Sequence, residues 1–285
     1  MGKNNYVRKP EWLRVNHNIE STKEVATMIN KLSLNTVCKE ANCPNMGECY
    51  KKRTATFMIM GSQCTRNCRF CNVTNGEPTK LDENEPMNVA KAIKELNLSH
   101  AVITSVTRDD LEDCGANHFA KTIKAVKEIN PNVTVEVLIP DLKGIKENLD
   151  IVIEAKPEVI NHNIETVKRL YDEVRPEAIY ERSIDVIKYV KEKAPQILTK
   201  TGIMVGLGES DEEVYKVMDD ALEVGCNIFT IGQYLRPSKA HIEIKEYVTP
   251  EKFEEYRVKG IKKGFKYIAS SPLVRSSYKA EEAIK

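Results

Sequence analysis

No run in this 285-residue chain is apolar and long enough to span a bilayer. Its first residues, MGKNNYVRKPEW, lack the apolar core of an export signal, and Tyr6 stands where a myristoylation signal needs Ser or Thr. There is no excess charge of either sign. The 43 Lys and Arg face 42 Asp and Glu, a net charge of +1, so no global field draws nucleic acid or an anionic membrane. Cysteine is too sparse for a disulfide scaffold: eight in 285, about 3% against the roughly 8–10% of such proteins. Reduced thiols in the cytoplasm are therefore the expected state. No internal repeat or long linker interrupts the chain, and a monomer is expected.

What is present suits one sizeable core: 41% of residues are hydrophobic and 30% charged. Short β-branched or apolar runs, expected as strands buried on both faces, lie at Thr56–Met60, Ala101–Ser105, Thr134–Ile139, Glu158–Asn161, Thr199–Val205, Asn227–Ile231 and Tyr267–Ala269. Amphipathic stretches separate them. Ser210 and Glu213 form a capping box, Thr249-Pro250 an N-cap with Pro at the first helical position, and Gly264 a stop. Ser21 and Glu24 open an earlier helix with Val25, Met28, Ile29 and Leu32 on one face. Repeated strand–helix units predict a single-domain α/β fold of parallel strands, a partial or complete barrel with its site at the carboxyl ends. Segment 1–53 reads as an N-terminal extension, 54–270 as the barrel and 271–285 as a C-terminal tail.

The chemistry is concentrated early. Cys38, Cys43 and Cys49 read C-x4-C-x5-C, and Cys64, Cys68 and Cys71 read C-x3-C-x2-C. Each triplet is one thiolate short of a closed four-ligand site, and three thiolates on a four-iron cluster leave one iron open. Zinc is the competing reading, because Cys68-x2-Cys71 alone is half a zinc site; no second CxxC or CxxH completes it. The segment Thr201–Glu209 ends a strand and opens a capped helix, but fits neither a P-loop nor GxGxxG. Cys226 reads as a small core residue, Cys114 as a loop thiol open to reaction, and Trp12 as an anchor. His17, His100, His118 and His241 show no ligand spacing.

The second triplet, with Phe70 before its last cysteine, resembles the radical S-adenosylmethionine (SAM) superfamily. That resemblance implies a four-iron, four-sulfur cluster on Cys64, Cys68 and Cys71, with SAM chelating the open iron and yielding a 5′-deoxyadenosyl radical. It also implies a partial (β/α)6-type barrel. SAM contacts are then expected from Phe70, Thr104, Asn161, Asn163, Gly206, Glu209 and Gln233, and substrate contacts from His162 and Arg275.

The first triplet narrows the resemblance. Its context CKEANCPNMGEC, with TATFMIMG, CTRNCRFCNV, TSVTRDDL, EVLIPD, NHNIETV, TKTGIMVGLGE, TIGQYLRPS and VRSSYKA, is similar to the lipoyl synthases over roughly residues 8 to 279. The resemblance implies a second, auxiliary four-iron cluster held by Cys38, Cys43, Cys49 and Ser276. It implies insertion of two of that cluster's sulfurs at C6 and C8 of an octanoyl chain on a lysine of a carrier protein, of lipoyl-domain or glycine cleavage H protein type. An electron donor such as ferredoxin or flavodoxin and a cluster repair protein follow as partners. The alternative is a radical SAM enzyme whose second cluster only transfers electrons; a zinc protein or simple iron–sulfur carrier is a third class. Departures from the family pattern are Asn72, Thr107, Cys114, Ser271 and Lys279, none of them a ligand position.

Overall fold

The computed structural model describes residues 8–15 and 22–284. Ser21 and His17 lie outside the described residues. Helix α1 runs Lys23–Lys31, buries Val25, Met28 and Ile29, and is preceded by Thr22. Strand β1 (Asn35–Thr36) follows, then the short helices α2 (Val37–Glu40) and α3 (Met46–Lys51) that carry the first cysteine triplet. Strand β2 spans Thr56–Ile59. It stops one residue earlier than the apolar run suggests, because Met60 and Gly61 take positive φ, 69° and 92°. A two-stranded ribbon, β3 (Gln63–Cys64) and β4 (Thr74–Asn75), then frames the second triplet.

From there the chain alternates. It runs α4 (Glu85–Leu96), β5 (His100–Ser105), α5 (Ala116–Ile129), β6 (Thr134–Leu138), α6 (Lys146–Glu154) and β7 (Val159–Asn161). The one-turn helix α7 (Tyr171–Val174) precedes α8 (Tyr180–Lys193), β8 (Leu198–Val205), α9 (Asp211–Glu223), β9 (Ile228–Gln233), α10 (Pro250–Lys263) and β10 (Tyr267–Ser270). Ser210 and Glu213 do form a reciprocal capping box on α9, and Thr249 caps α10. Seven strands, β2 and β5 to β10, pair in parallel in chain order, with β1 antiparallel on the outer edge of β2. Six strand–helix units followed by a seventh strand are thus the observed form of the expected partial barrel.

Register shows which face does what. Pairs such as Val102↔Glu136, Asn161↔Lys200 and Gly202↔Thr230 share one face of the sheet. The opposite face, with Phe57, Ile103, Val137, Ile160, Phe229 and Ile268, is packed by helices: Ile268 meets Gly260 of α10, and Ser270 Oγ donates to Phe253 O. The first face curls inward. Lys200 Nζ on β8 reaches across β7 to Glu136 Oε1 on β6 at 2.7 Å, and His100 Nε2 on β5 lies 3.2 Å from Glu136 Oε2. A closed barrel core is dominated by branched apolar residues. Here the concave face instead carries Thr56, Thr104, Glu136, Asn161, Lys200 and Thr230, all buried. Both amide atoms of Asn161 lack a partner, as do Ser105 Oγ at the end of β5 and Arg175 Nε nearby, where buried polar groups are usually paired. Such an interior is built to receive a polar ligand.

Candidate active site

The loops at the carboxyl ends of the parallel strands share one rim, and the second triplet sits there. Cys64 ends β3 and its Sγ accepts from the Thr107 N–H at 3.3 Å. Cys71 N–H donates to Cys68 O, and His241 Nε2 lies 3.0 Å from Cys71 O. Arg66, inside the triplet, forks onto Asp109 (2.6 and 3.0 Å) and Asp141 (2.7 and 3.0 Å). The cysteine loop is thereby bolted to the loops after β5 and β6. Arg175, after α7, is buried and donates through Nη1 to Asn163 O, Ile164 O and Tyr171 OH. Its charge opposes the rise that burial imposes on the Cys68 thiol.

The first triplet lies beside this loop. Asn72 Nδ2, one residue past Cys71, donates to Glu40 O, two residues past Cys38, at 2.8 Å. The tail after β10 crosses the same region: Asn45 Nδ2 donates to Leu273 O at 2.7 Å, and Tyr278 OH to Glu48 Oε2 at 2.9 Å. Between those two pins, Arg275 places its charge beside Cys43 and Glu165. Ser276 Oγ faces the Asn163 amide, 2.7 Å from Nδ2 and 3.0 Å from Oδ1.

All eight cysteines are free thiols. Burial pushes Cys38 up to about 11 and Cys49 and Cys71 up to about 12, and within each triplet the neighbouring thiolates add to the rise. Thiolates held this way need a positive partner, which iron would supply. Among the described residues no three His, Cys, Asp or Glu are drawn tight enough to hold a single ion. Three thiols to a triplet are the donor set that leaves one iron of a four-iron cluster open.

The remaining candidates divide by what their polar atoms already do. Thr104 Oγ1 donates to Leu138 O at 2.9 Å. Gln233 Nε2 donates to Val205 O, Tyr234 O and Glu246 O, and its Oε1 accepts from Val248 N–H. The Glu209 carboxylate accepts the N–H groups of Gly206 and Leu207, closing its own turn. Gly206 has φ 99°, and a Cβ there would meet Gln233 at 2.2 Å, so the glycine is required by packing. Phe70 packs on the core. Asn161 alone offers a buried, unengaged amide. Cys114, expected as a reactive loop thiol, is 1% exposed with its pKa raised by burial, which makes it inert. Trp12 is 43% exposed, and the neighbouring Leu13 is the buried anchor.

His162 is committed to the scaffold. Nδ1–H donates to Ile139 O (2.9 Å), and Nε2 accepts from Ser183 Oγ (3.1 Å), which accepts from Tyr171 OH, which accepts from Arg175. Burial first, then Arg175, holds its pKa down at about 4. The unfolded chain, titrating near 6.5, binds the extra proton between those values, so stability rises with pH across that window. The change is expected to be roughly 3 kcal/mol, absent below pH 4 and complete above 6.5. Urea midpoints from pH 4.5 to 7 check this: His162→Gln should flatten the slope, and an unchanged slope would place its source elsewhere.

These residues were not all visible from spacing. Arg66, Glu165 and Arg175 carry the site's charges. Arg66 lay within the CTRNCRFC motif, where an arginine between two ligands is a usable signal. Glu165 lay within NHNIETV, and nothing marked Arg175.

Residues 58–221 match the radical SAM superfamily model. Two solved structures share the fold: HydG, a maturase of the [FeFe]-hydrogenase, at TM-score 0.61, 15% identity, 87% of this chain and 63% of that one; and methylornithine synthase (PylB), at TM-score 0.57, 14% identity, 90% of this chain and 84% of that one. The chain is a radical SAM enzyme. It is 60% identical over 275 residues to a lipoyl synthase of Caldanaerobacter subterraneus subsp. tengcongensis, covering 96% of each chain. It is 54% identical to a lipoyl synthase of Alkaliphilus metalliredigens, covering 99% of this chain and 97% of that one. This chain belongs to the lipoyl synthase family.

Proposed function

We propose that this enzyme inserts two sulfur atoms, at C6 and C8, into an octanoyl group carried in amide linkage on a lysine of a lipoyl carrier protein. Cys64, Cys68 and Cys71 hold the cluster that binds SAM; Cys38, Cys43, Cys49 and Ser276 hold the auxiliary cluster, whose sulfur is transferred. Bound together, the first cluster and SAM supply an oxidant able to take hydrogen from an unactivated C–H bond, a bond no side-chain base can deprotonate.

The chain's own residues prepare that chemistry. Arg66 fixes the second triplet to the rim. Arg175 puts a buried positive charge beside Cys68, suited to the carboxylate of SAM. The unengaged Asn161 amide, on the concave face below, suits a polar group of the same ligand. Asn72 sets the two triplets side by side, so a chain lying between them is within reach of both. The observation that carries the reading is the tail: Asn45 and Glu48 pin Leu273 and Tyr278 across the first triplet, with Ser276 between the pins. Residues 1–53 and 271–285 thus serve the auxiliary cluster and 54–270 the radical chemistry. Among the described residues no helix is long and apolar enough to cross a membrane; we place the reaction in the cytoplasm, with a ferredoxin or flavodoxin as donor and a repair protein rebuilding the auxiliary cluster.

Mass spectrometry of an octanoyl-lysine peptide tests this, after anaerobic incubation with reconstituted protein, reductant and SAM. The expected product has gained two sulfurs and lost two hydrogens, with two deoxyadenosines formed. Deoxyadenosine without sulfur in the peptide, and with auxiliary sulfide retained, would favour the electron-transfer alternative and refute the proposal.

A further inference from the structure

The hydroxyl of Ser276 does not point into empty space. It faces a single side-chain amide from the opposite wall of the barrel mouth. Asn163 follows β7, Ser276 follows β10, and two strands separate them in the sheet. The amide's orientation is set by a third group, because Asn163 Nδ2 also donates to Glu165 Oε1 at 3.0 Å. With Nδ2 on that side, Ser276 Oγ accepts from Nδ2 at 2.7 Å and donates to Oδ1 at 3.0 Å. Asn163 is 9% exposed and Ser276 half-buried, so water reaches the hydroxyl only in part.

We propose that Asn163 is the positioning residue that receives Ser276 when the serine leaves iron. This rests on the reading of Ser276 as an auxiliary-cluster ligand. When the Fe–O bond breaks, the electron pair stays on oxygen, which takes a proton from solvent, and the iron keeps its oxidation state. The product is a serine hydroxyl in a half-buried place. A hydroxyl left unmatched there loses part of its hydration without replacement, and a matched one recovers most of that. Asn163 offers both a donor and an acceptor, so it lowers the cost of the open state. The tail need not move, because the pins at Leu273 and Tyr278 hold its backbone on either side. The motion this asks of the serine is a side-chain rotation between staggered wells. Asn163 thereby sets how readily the auxiliary cluster comes apart.

The test is iron release, independent of turnover. Anaerobically reconstituted full-length protein, without SAM, is mixed with a ferrous chelator, and capture of the more labile iron is timed. Asn163→Leu is expected to slow release roughly 5- to 100-fold, the loss of one to two matched hydrogen bonds. Asn163→Asp keeps an acceptor and loses the donor. It should fall between, and it carries the test if the leucine variant does not fold. Ser276→Ala should release iron faster than the parent, and Asn163→Leu should change nothing further in that background. Unchanged release in Asn163→Leu with Ser276 present would overturn the proposal; faster release would also overturn it, since Asn163 would then be holding Ser276 onto the iron. If Ser276→Ala itself leaves release unchanged, the ligand assignment has failed, an outcome distinct from failure of Asn163 alone.

Discussion

Cys68→Ala is expected to reduce deoxyadenosine formation to background while leaving the first-triplet cluster in place. Cys43→Ala is expected to do the opposite: SAM is still cleaved, and no sulfur reaches the octanoyl peptide. The argument rests on how the two sets are built. Cys68 sits on a loop held by Arg66, and the charges beside its thiol are those of Arg175, Glu165 and Cys64. Cys43 sits between α2 and α3, and the charge beside it is Arg275 from the tail. Each alanine leaves a methyl where a thiolate stood; two thiolates at the second triplet, or two with the weak serine oxygen of Ser276 at the first, are expected to lose the four-iron cluster. Iron should fall from about eight to about four per chain in either variant. Quantifying iron, deoxyadenosine and peptide mass on the same sample separates the roles. Loss of deoxyadenosine in Cys43→Ala, with four irons retained, would mean that electrons reach SAM through the first-triplet cluster. That would replace sulfur donation by electron transfer as its role.

Much of this was legible in the chain, and the reason is physical. Strands buried on both faces demand continuous apolar runs, so all seven parallel strands stood out, with ends displaced by one or two residues. The short triplets carried the metal chemistry because ligands on one loop must be near in sequence. Alternation also held information that a list of polar strand ends does not use. Gln233 shares parity with Ile231 and Phe229, which face the helices, so it was bound to be scaffold. Asn161 and His162 are adjacent and polar, yet only Asn161 has the parity of the concave face; His162, one residue on, turns toward Ile139 and Ser183. What no single chain reveals is pairing at long range. Ser276 meets Asn163 across 113 residues, and Tyr278 meets Glu48 across 230. Those contacts depend on how far the sheet curls, a property of the whole.

The curl also explains why the interior is polar. A sheet that closed fully would pack its inner face with branched side chains. This one ends in an antiparallel β1 on one edge and β10 on the other, and the tail spans the gap, with its Val274 carbonyl resting on Gly232, where a Cβ would stand 2.1 Å away. The inner face is therefore free to carry groups a ligand needs. The Glu136–Lys200 pair, buried and satisfied, keeps its base from collapsing onto apolar partners.

Arg66→Met is expected to lower stability by about 3–5 kcal/mol, the cost of leaving a buried charge without its partner. Arg66 is 7% exposed at its side chain and Asp141 is 0%. Burial by itself would push the Asp141 carboxyl up; the hydrogen bonds and charge of Arg66 override it and hold the carboxyl well below its usual range. Methionine matches the length of the stem and has no donors. Arg182, 3.2 Å from Asp141 and 27% exposed, then remains as a weaker partner. The sign of the pH response follows. In the parent, Asp141 contributes stability that is present above the unfolded value near 3.9 and is lost below it. In the variant the native carboxyl takes a proton more readily than the unfolded one, so the deficit should shrink as pH falls toward 4. Adding Asp141→Asn to the variant should recover part of the loss at pH 7, since it removes the buried charge. Urea denaturation of the apoprotein at pH 7 and 4.5 measures all of this. Iron retention by the second triplet should fall as well, because Cys64 and Cys68 flank the residue removed. A midpoint equal to the parent's would mean that water already carries the Asp141 charge, and that the loop holding the second triplet is anchored by something other than Arg66.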